Sequence, residues 1–181
     1  MNTVNGTSKK IVAIQGDITQ QAVDAIVNAA NKSLLGGSGV DGAIHRAAGP
    51  ELLAQCRLLN GCETGDAKIT KGYNLLAKWV IHTVGLIWRD GNHGEKKLLA
   101  SCYVRSLEIA AEKGLKTIAF PAISTGVYGF PVELATPIAI RTVKEFLQKN
   151  SSIQQVIFVC FNDQLFEIYR QLLPQILSES N

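Results

Sequence analysis

The chain has 181 residues, 46% of them apolar and 18% charged, with a formal net charge of +3. These values fit one globular domain with a sizeable core and argue against a disordered chain. No apolar run reaches the roughly 18 residues of a membrane span. The scattered Lys and Arg make no basic stripe of the kind that grips nucleic acid, so RNA binding is a weak reading, while an anionic small molecule is compatible with the charge.

Met1 to Lys10 is polar and carries no signal core. Residues 1–10 are read as a flexible tail before a domain over 11–177, and the protein as cytoplasmic. Ile11 to Ile14 is a β-branched run ending at Gly16-Asp17, and Ala25 to Ala29 is a second. Helical patterning runs from Asp41 through Leu59 with a break at Gly49-Pro50. Lys68 to Leu75 reads as an added antiparallel or edge strand, and Trp79 to Val84 as a buried one. Asp90 to Gly94 is the expected mobile loop. Leu98, Leu99, Cys102, Tyr103, Leu107 and Ala110 share one helical face, closed by Gly114. Thr117 to Ile123 is a strand, Pro131 opens the next helix, Gln155 to Phe161 is a strand, and Asn162 or Asp163 caps the last helix. The alternation predicts an α/β fold: a three-layer α/β/α sandwich around a twisted, mostly parallel sheet.

In such sheets ligands bind beyond the carboxyl ends of the strands. Two glycine-rich loops fall there. In the first, Gly36-Gly37-Ser38-Gly39-Val40-Asp41-Gly42, the backbone can approach an anion and the following helix presents unpaired N–H groups; a plain connector with Asp41 as helix cap is the alternative. The second, Ser124-Thr125-Gly126-Val127-Tyr128-Gly129, joins a buried strand to a helix. Two anion cradles in one domain suit a diphosphate. Ser124 is a poor nucleophile elbow, because Ala122 stands where that motif has glycine. Asp17 is either an acceptor for an exocyclic amine or a turn cap. Asn28 and Asn31 are either ligands of ribose hydroxyls or a water, or turn formers. His45, His82 and His93 lack metal-ligand spacing, as do Cys56, Cys62, Cys102 and Cys160. No metal or cofactor is expected. Cys102 and Cys160 read as buried, whereas Cys56 and Cys62 are open to either a buried or a surface reading.

Taken together, Gly16-Asp17-Ile18-Thr19, Ile26-Val27-Asn28-Ala29-Ala30-Asn31, Gly39-Val40-Asp41-Gly42-Ala43-Ile44-His45, Ile81-His82-Thr83-Val84-Gly85 and Pro121 through Gly129 closely resemble macro domains. The MacroD-type group, which includes bacterial O-acetyl-ADP-ribose deacetylases, is the nearest. The resemblance implies that Asp17 binds the adenine amine, that Ile18 lines its pocket and that Phe161 packs on the ring. It implies that the backbone of Gly39 to Val40 and of Ser124, Thr125, Gly126, Val127 and Tyr128 holds the diphosphate. Asn31 and Asp41 would face the distal ribose as catalytic residues, with Tyr128 closing over it. Ser38 stands where the family has glycine, which puts positive φ in that loop in question; Leu86 replaces a common proline, and Asn162 a frequent aspartate. The implied activity is hydrolysis of esters of the distal ribose, in O-acetyl-ADP-ribose or in mono-ADP-ribosylated Asp or Glu of proteins. A non-catalytic ADP-ribose reader is the alternative, ahead of a phosphatase acting on phosphorylated ADP-ribose.

Overall fold

The computed structural model describes residues 4–5 and 11–180. Its sheet has seven strands: β1 (Val4–Asn5), β2 (Ile11–Gln15), β3 (Ala25–Ala30), β4 (Ala67–Lys71), β5 (Trp79–Val84), β6 (Thr117–Phe120) and β7 (Gln155–Cys160). They lie in the order β1-β2-β7-β6-β3-β5-β4. The inner pairs are parallel, and only the edge strands β1 and β4 run antiparallel. β4 is the edge strand expected near Lys68. β1 lies within the stretch expected to be a loose tail; the remainder of that stretch falls outside the described residues.

Five helices cover the sheet: α1 (Gly39–Ala48), α2 (Pro50–Leu58), α3 (Glu95–Glu112), α4 (Val132–Lys149) and α5 (Asp163–Leu177). One core lies under α3, α4 and α5, where Leu99, Leu107, Ile140, Val143 and Leu173 meet Phe120 and Phe158 of the sheet. The other lies under α1 and α2, where Ile44, Leu52 and Cys56 meet Ile26 and Val80. Burying both faces is why the central strands are apolar throughout. Strand β3 illustrates this: Ala25, Ile26, Val27 and Asn28 are each fully buried.

The helix boundaries follow local chemistry. Pro50 sits in the first turn of α2, where its missing N–H is not needed. The Asn162 side chain accepts from Leu165 N at 2.9 Å and caps α5. Thr117 to Ile123 was expected to be strand throughout, but β6 stops at Phe120. The chain then bends toward Ser124, whose φ of +65° breaks the extended backbone. Among the described residues, no helix is long and apolar enough to cross a membrane.

Candidate active site

The expected site residues gather where the strands end. Asp17 follows β2, Phe161 follows β7, Ser124 to Tyr128 follow β6, and Asn31 follows β3. Asp41 arrives from the other direction, in the first turn of α1.

Asp41 is the centre of the arrangement. It is buried, with 5% of its surface exposed, and a buried carboxylate must be held by hydrogen bonds. Asn28 Nδ2 donates to Asp41 Oδ1 at 2.8 Å. The same amide nitrogen lies 3.1 Å from His82 Nδ1. The opposite amide orientation would aim an oxygen at a carboxylate oxygen, so the NH₂ group faces both and His82 Nδ1 accepts. Burial, helped by His45, brings the His82 pKa down to about 3, so the ring is neutral and its proton sits on Nε2. That nitrogen donates to Thr70 Oγ1 at 2.9 Å, and the Thr70 hydroxyl donates to Lys71 O at 3.1 Å. Asn28, His82 and Thr70 are all fully buried. The parallel register that pairs Asn28 with His82 builds this chain into the sheet.

This corrects the reading of Asn28 as a ligand contact at a strand end. Strand β3 continues past it to Ala30, and its side chain is enclosed by Asp41 and His82. It acts on the carboxylate from beneath. Asp41 is likewise not a helix cap: Ser38 holds that position, without a side-chain cap bond.

The first glycine loop presses against α1. A methyl group on Gly42 would lie 2.5 Å from Gly37 O, and one on Gly37 would lie 3.0 Å from Asp41 Oδ2. The second carboxylate oxygen therefore faces the loop. Ser38 has φ −97°, an extended conformation open to any residue. The replaced glycine thus costs the loop nothing, while Gly39, at φ +59°, carries the left-handed turn. Asn31 is a loop organiser: its Nδ2 donates to Gly36 O at 2.9 Å, and its Oδ1 accepts from Ser33 Oγ at 2.7 Å and Leu34 N at 3.1 Å.

His45 was given no role from sequence. Its Nε2 lies 3.4 Å from Asp41 Oδ1, yet it makes no hydrogen bond. The signal for it was its spacing, one helical turn past Asp41.

The second loop has the form of an anion cradle. Gly129 N donates to Gly126 O at 3.0 Å and Phe130 N to Ser124 O at 2.9 Å, closing the turn. Among the described residues, the N–H groups of Gly126, Val127 and Tyr128 have no hydrogen-bond partner. Adjacent free N–H groups in a turn attract anions. Ser124 is buried, and its Oγ accepts from Leu86 N at 2.9 Å, which makes it a brace between two loops. Val127 is 97% exposed, and Thr125 is half-buried.

At the far end, Asp17 Oδ1 accepts from Thr19 N at 2.9 Å and Thr19 Oγ1 at 2.7 Å. It caps a single turn of 3-10 helix, Ile18–Gln20, and its other oxygen has no such partner. Ile18 is buried, while Phe161 is 78% exposed. A large ring held in water beside a carboxylate suits a flat heteroaromatic partner.

All four cysteines are buried, Cys56 and Cys62 included. Burial raises each thiol, Cys56 to about 11 and Cys160 to about 12, so they are protonated and inert. The loop expected to be mobile, Asp90 to Gly94, is instead anchored. The buried Glu95 carboxylate accepts from Arg89 N at 3.1 Å, Asp90 N at 3.2 Å, Gly91 N at 2.8 Å and His93 N at 2.5 Å.

The family model for the Macro domain matches residues 27–139. A macro domain-containing protein of Chlorobaculum tepidum is 63% identical, over 90% of this chain and 95% of its own. A protein of Escherichia fergusonii named O-acetyl-ADP-ribose deacetylase is 55% identical, over 92% and 96%. The ADP-ribose glycohydrolase MACROD2 of Xenopus laevis is 60% identical, over 94% of this chain but 41% of its own length. An Oceanobacillus iheyensis macrodomain mutant solved with ADPR superposes with a TM-score of 0.92 at 42% identity, covering 98% of this chain and 99% of that one. The sheet order, the paired glycine loops and these matches agree: this chain belongs to the macro domain family.

Proposed function

We propose that the protein binds ADP-ribose along the strand ends and hydrolyses an ester carried by its distal ribose. The observation that carries this reading is Asp41, a buried carboxylate with Oδ1 tied to the core through Asn28 and Oδ2 turned toward the first glycine loop. A module that only binds gains little from enclosing a carboxylate in this way, since the burial costs stability. The E. fergusonii and X. laevis relatives, named as a deacetylase and a glycohydrolase, support the same reading.

Adenine lies between Asp17, Ile18 and Phe161, and the diphosphate on the N–H groups of Gly39 to Val40 and Gly126 to Tyr128. Asn31 and Tyr128 confine the distal ribose beside Asp41. A water positioned by Asp41 attacks the acyl carbon; the bond from that carbon to the ribose oxygen breaks, the ribose oxygen takes up a proton, and a carboxylate departs. The proton passes from the water through Asp41 or through a substrate phosphate. An aspartate is a weak base at neutral pH, so its contribution is positioning together with general-base help of order ~10² to 10⁴. O-acetyl-ADP-ribose and ADP-ribosylated Asp or Glu present this same ester.

The test pairs calorimetry with acetate release from O-acetyl-ADP-ribose on one sample. Asp41→Ala is expected to keep ADP-ribose binding and lose most turnover. Full activity in that variant would remove Asp41 from the mechanism. Binding without turnover in the native protein would leave a reader.

A further inference from the structure

The proposed ligand path follows the sheet order from β2 through β7 and β6 to β3. Neighbouring strands lie ~4.8 Å apart, so these three steps span about 14 Å, from adenine to distal ribose. The next strand in line is β5. At its carboxyl end, bounded also by the chain entering β4, a cleft of about 570 Å³ opens. Lys32, Thr64, Ile87, Arg89 and Tyr128 are among its lining residues. Tyr128 is the residue shared with the ribose site, so the cleft continues the ligand path on the side away from adenine.

We propose that this cleft is a subsite for the acyl side of the ester, and that it fits an acidic peptide whose Asp or Glu side chain is joined to ADP-ribose. This rests on the hydrolase reading above. The volume lies within the range of small-molecule pockets and far exceeds what an acetyl group fills. Its charge is the second argument. Arg89 is exposed and makes no ion pair among the described residues. Among the described residues Lys32 pairs only with Glu63, at 3.7 Å between largely exposed side chains, a pairing that contributes little. The acid on the cleft wall, Glu95, turns its carboxylate to the N–H groups of the loop it anchors and, among the described residues, forms an ion pair with neither cation. Carboxylates of an acidic peptide complement that rim. Ile87, 63% exposed, offers apolar contact beside it. The walls are built before any ligand arrives: Leu86 N donates to Ser124 Oγ at 2.9 Å and Trp88 N to Tyr128 O at 2.8 Å. Pre-formed walls lower the ordering cost of binding.

The test is the charge reversal Lys32→Glu with Arg89→Glu, assayed on O-acetyl-ADP-ribose and on a synthetic acidic peptide bearing one ester-linked ADP-ribose. The expected result is a fall in kcat/KM of about tenfold or more on the peptide, weakening as salt is added. Turnover of the acetyl ester and the Kd for free ADP-ribose stay within about twofold. Equal losses on both substrates, or no loss on the peptide, would overturn the subsite. If the native protein turns over neither substrate, the hydrolase reading fails and the subsite is judged by affinity. The peptide conjugate must then bind more tightly than free ADP-ribose, the double reversal must erase that gain, and equal affinities in the native protein would overturn the subsite.

Discussion

His82→Leu tests whether the buried chain behind Asp41 positions the carboxylate or merely fills the sheet. The substitution removes the acceptor for one Asn28 amide hydrogen, now at 3.1 Å, and the donor to Thr70 at 2.9 Å. Leaving a buried donor unsatisfied costs about 1–3 kcal/mol. For a chain of this size each kcal/mol moves Tm by about 2–4 °C, so the expected drop is about 2–12 °C. Asn28, held on one side only, no longer fixes Asp41. A misplacement of about 1 Å costs up to ~100-fold in rate, so kcat should fall by about 10- to 100-fold while the Kd for ADP-ribose changes little. The pH dependence gives a second readout. Unfolded, His82 takes its proton near 6.5; folded, only near 3. Between those values the unfolded chain carries the extra proton, so acidification favours unfolding by up to about 1.4 kcal/mol per pH unit from this group. Urea midpoints from pH 7 to pH 4 should show that slope in the native protein and a shallower one in the variant. His82→Gln, which can both accept and donate, should recover part of kcat. A variant that loses Tm but keeps native kcat would refute the positioning role and leave His82 as a structural residue.

Two further outcomes follow from the loops. Burial works to raise the Glu95 carboxyl, but the N–H groups of Gly91, His93 and Arg89 outweigh it and bring the pKa down to about 2. Glu95→Gln should therefore speed amide hydrogen exchange at Arg89 to His93, and unchanged protection there would show that the carboxylate does not anchor the loop. Gly37→Ala places a methyl group 3.0 Å from Asp41 Oδ2 and 3.6 Å from Asn31 Nδ2. Acetate release should fall by about tenfold, corresponding to ~1.4 kcal/mol, while Tm moves by no more than a few degrees; native turnover would mean that the carboxylate has room to spare.

Much of this was legible because the strand and loop signals agree with the fold. The apolar runs at Ile11, Ala25, Trp79 and Gln155 became parallel inner strands, and the break at Gly49-Pro50 divides α1 from α2. Asp17, Asn31, Asp41 and Tyr128 were legible as a set through the family's motifs, because each motif ends a strand or opens a helix at the same edge. What escaped were relations across the sheet. Asn28 reads locally as either a ribose contact or a turn former, and only the pairing of β3 with β5 places it opposite His82. Thr70 is an unremarkable strand residue until β4 pairs with β5. The Asp90 to Gly94 segment has the composition of a mobile loop, and its anchor is a single carboxylate at the start of α3. Cys56 was ambiguous because α2 is weakly amphipathic, with only Leu52 and Cys56 buried.

The two ends of the Asp41 carboxylate answer to different parts of the molecule. Oδ1 is tied through Asn28 and His82 to strands β3, β5 and β4, the rigid interior. Oδ2 faces the Gly37 backbone, which Gly42 allows to close onto α1, and near which Asn31 also lies. Asn31, by holding Gly36 O, couples the shape of that loop to the end of β3. A carboxylate fixed by the core on one side and bounded by a glycine loop on the other has little freedom of its own. In the proposed reaction the oxygen left to meet the ribose ester is Oδ2, because Oδ1 is already engaged by Asn28. Three fully buried polar side chains, Asn28, His82 and Thr70, serve to aim one oxygen, whereas the second glycine loop offers main-chain N–H groups that require no particular side chain. This division explains why Ser38 can replace a glycine without distorting the site, whereas the interior of β5 carries a histidine where apolar packing alone would place a β-branched residue.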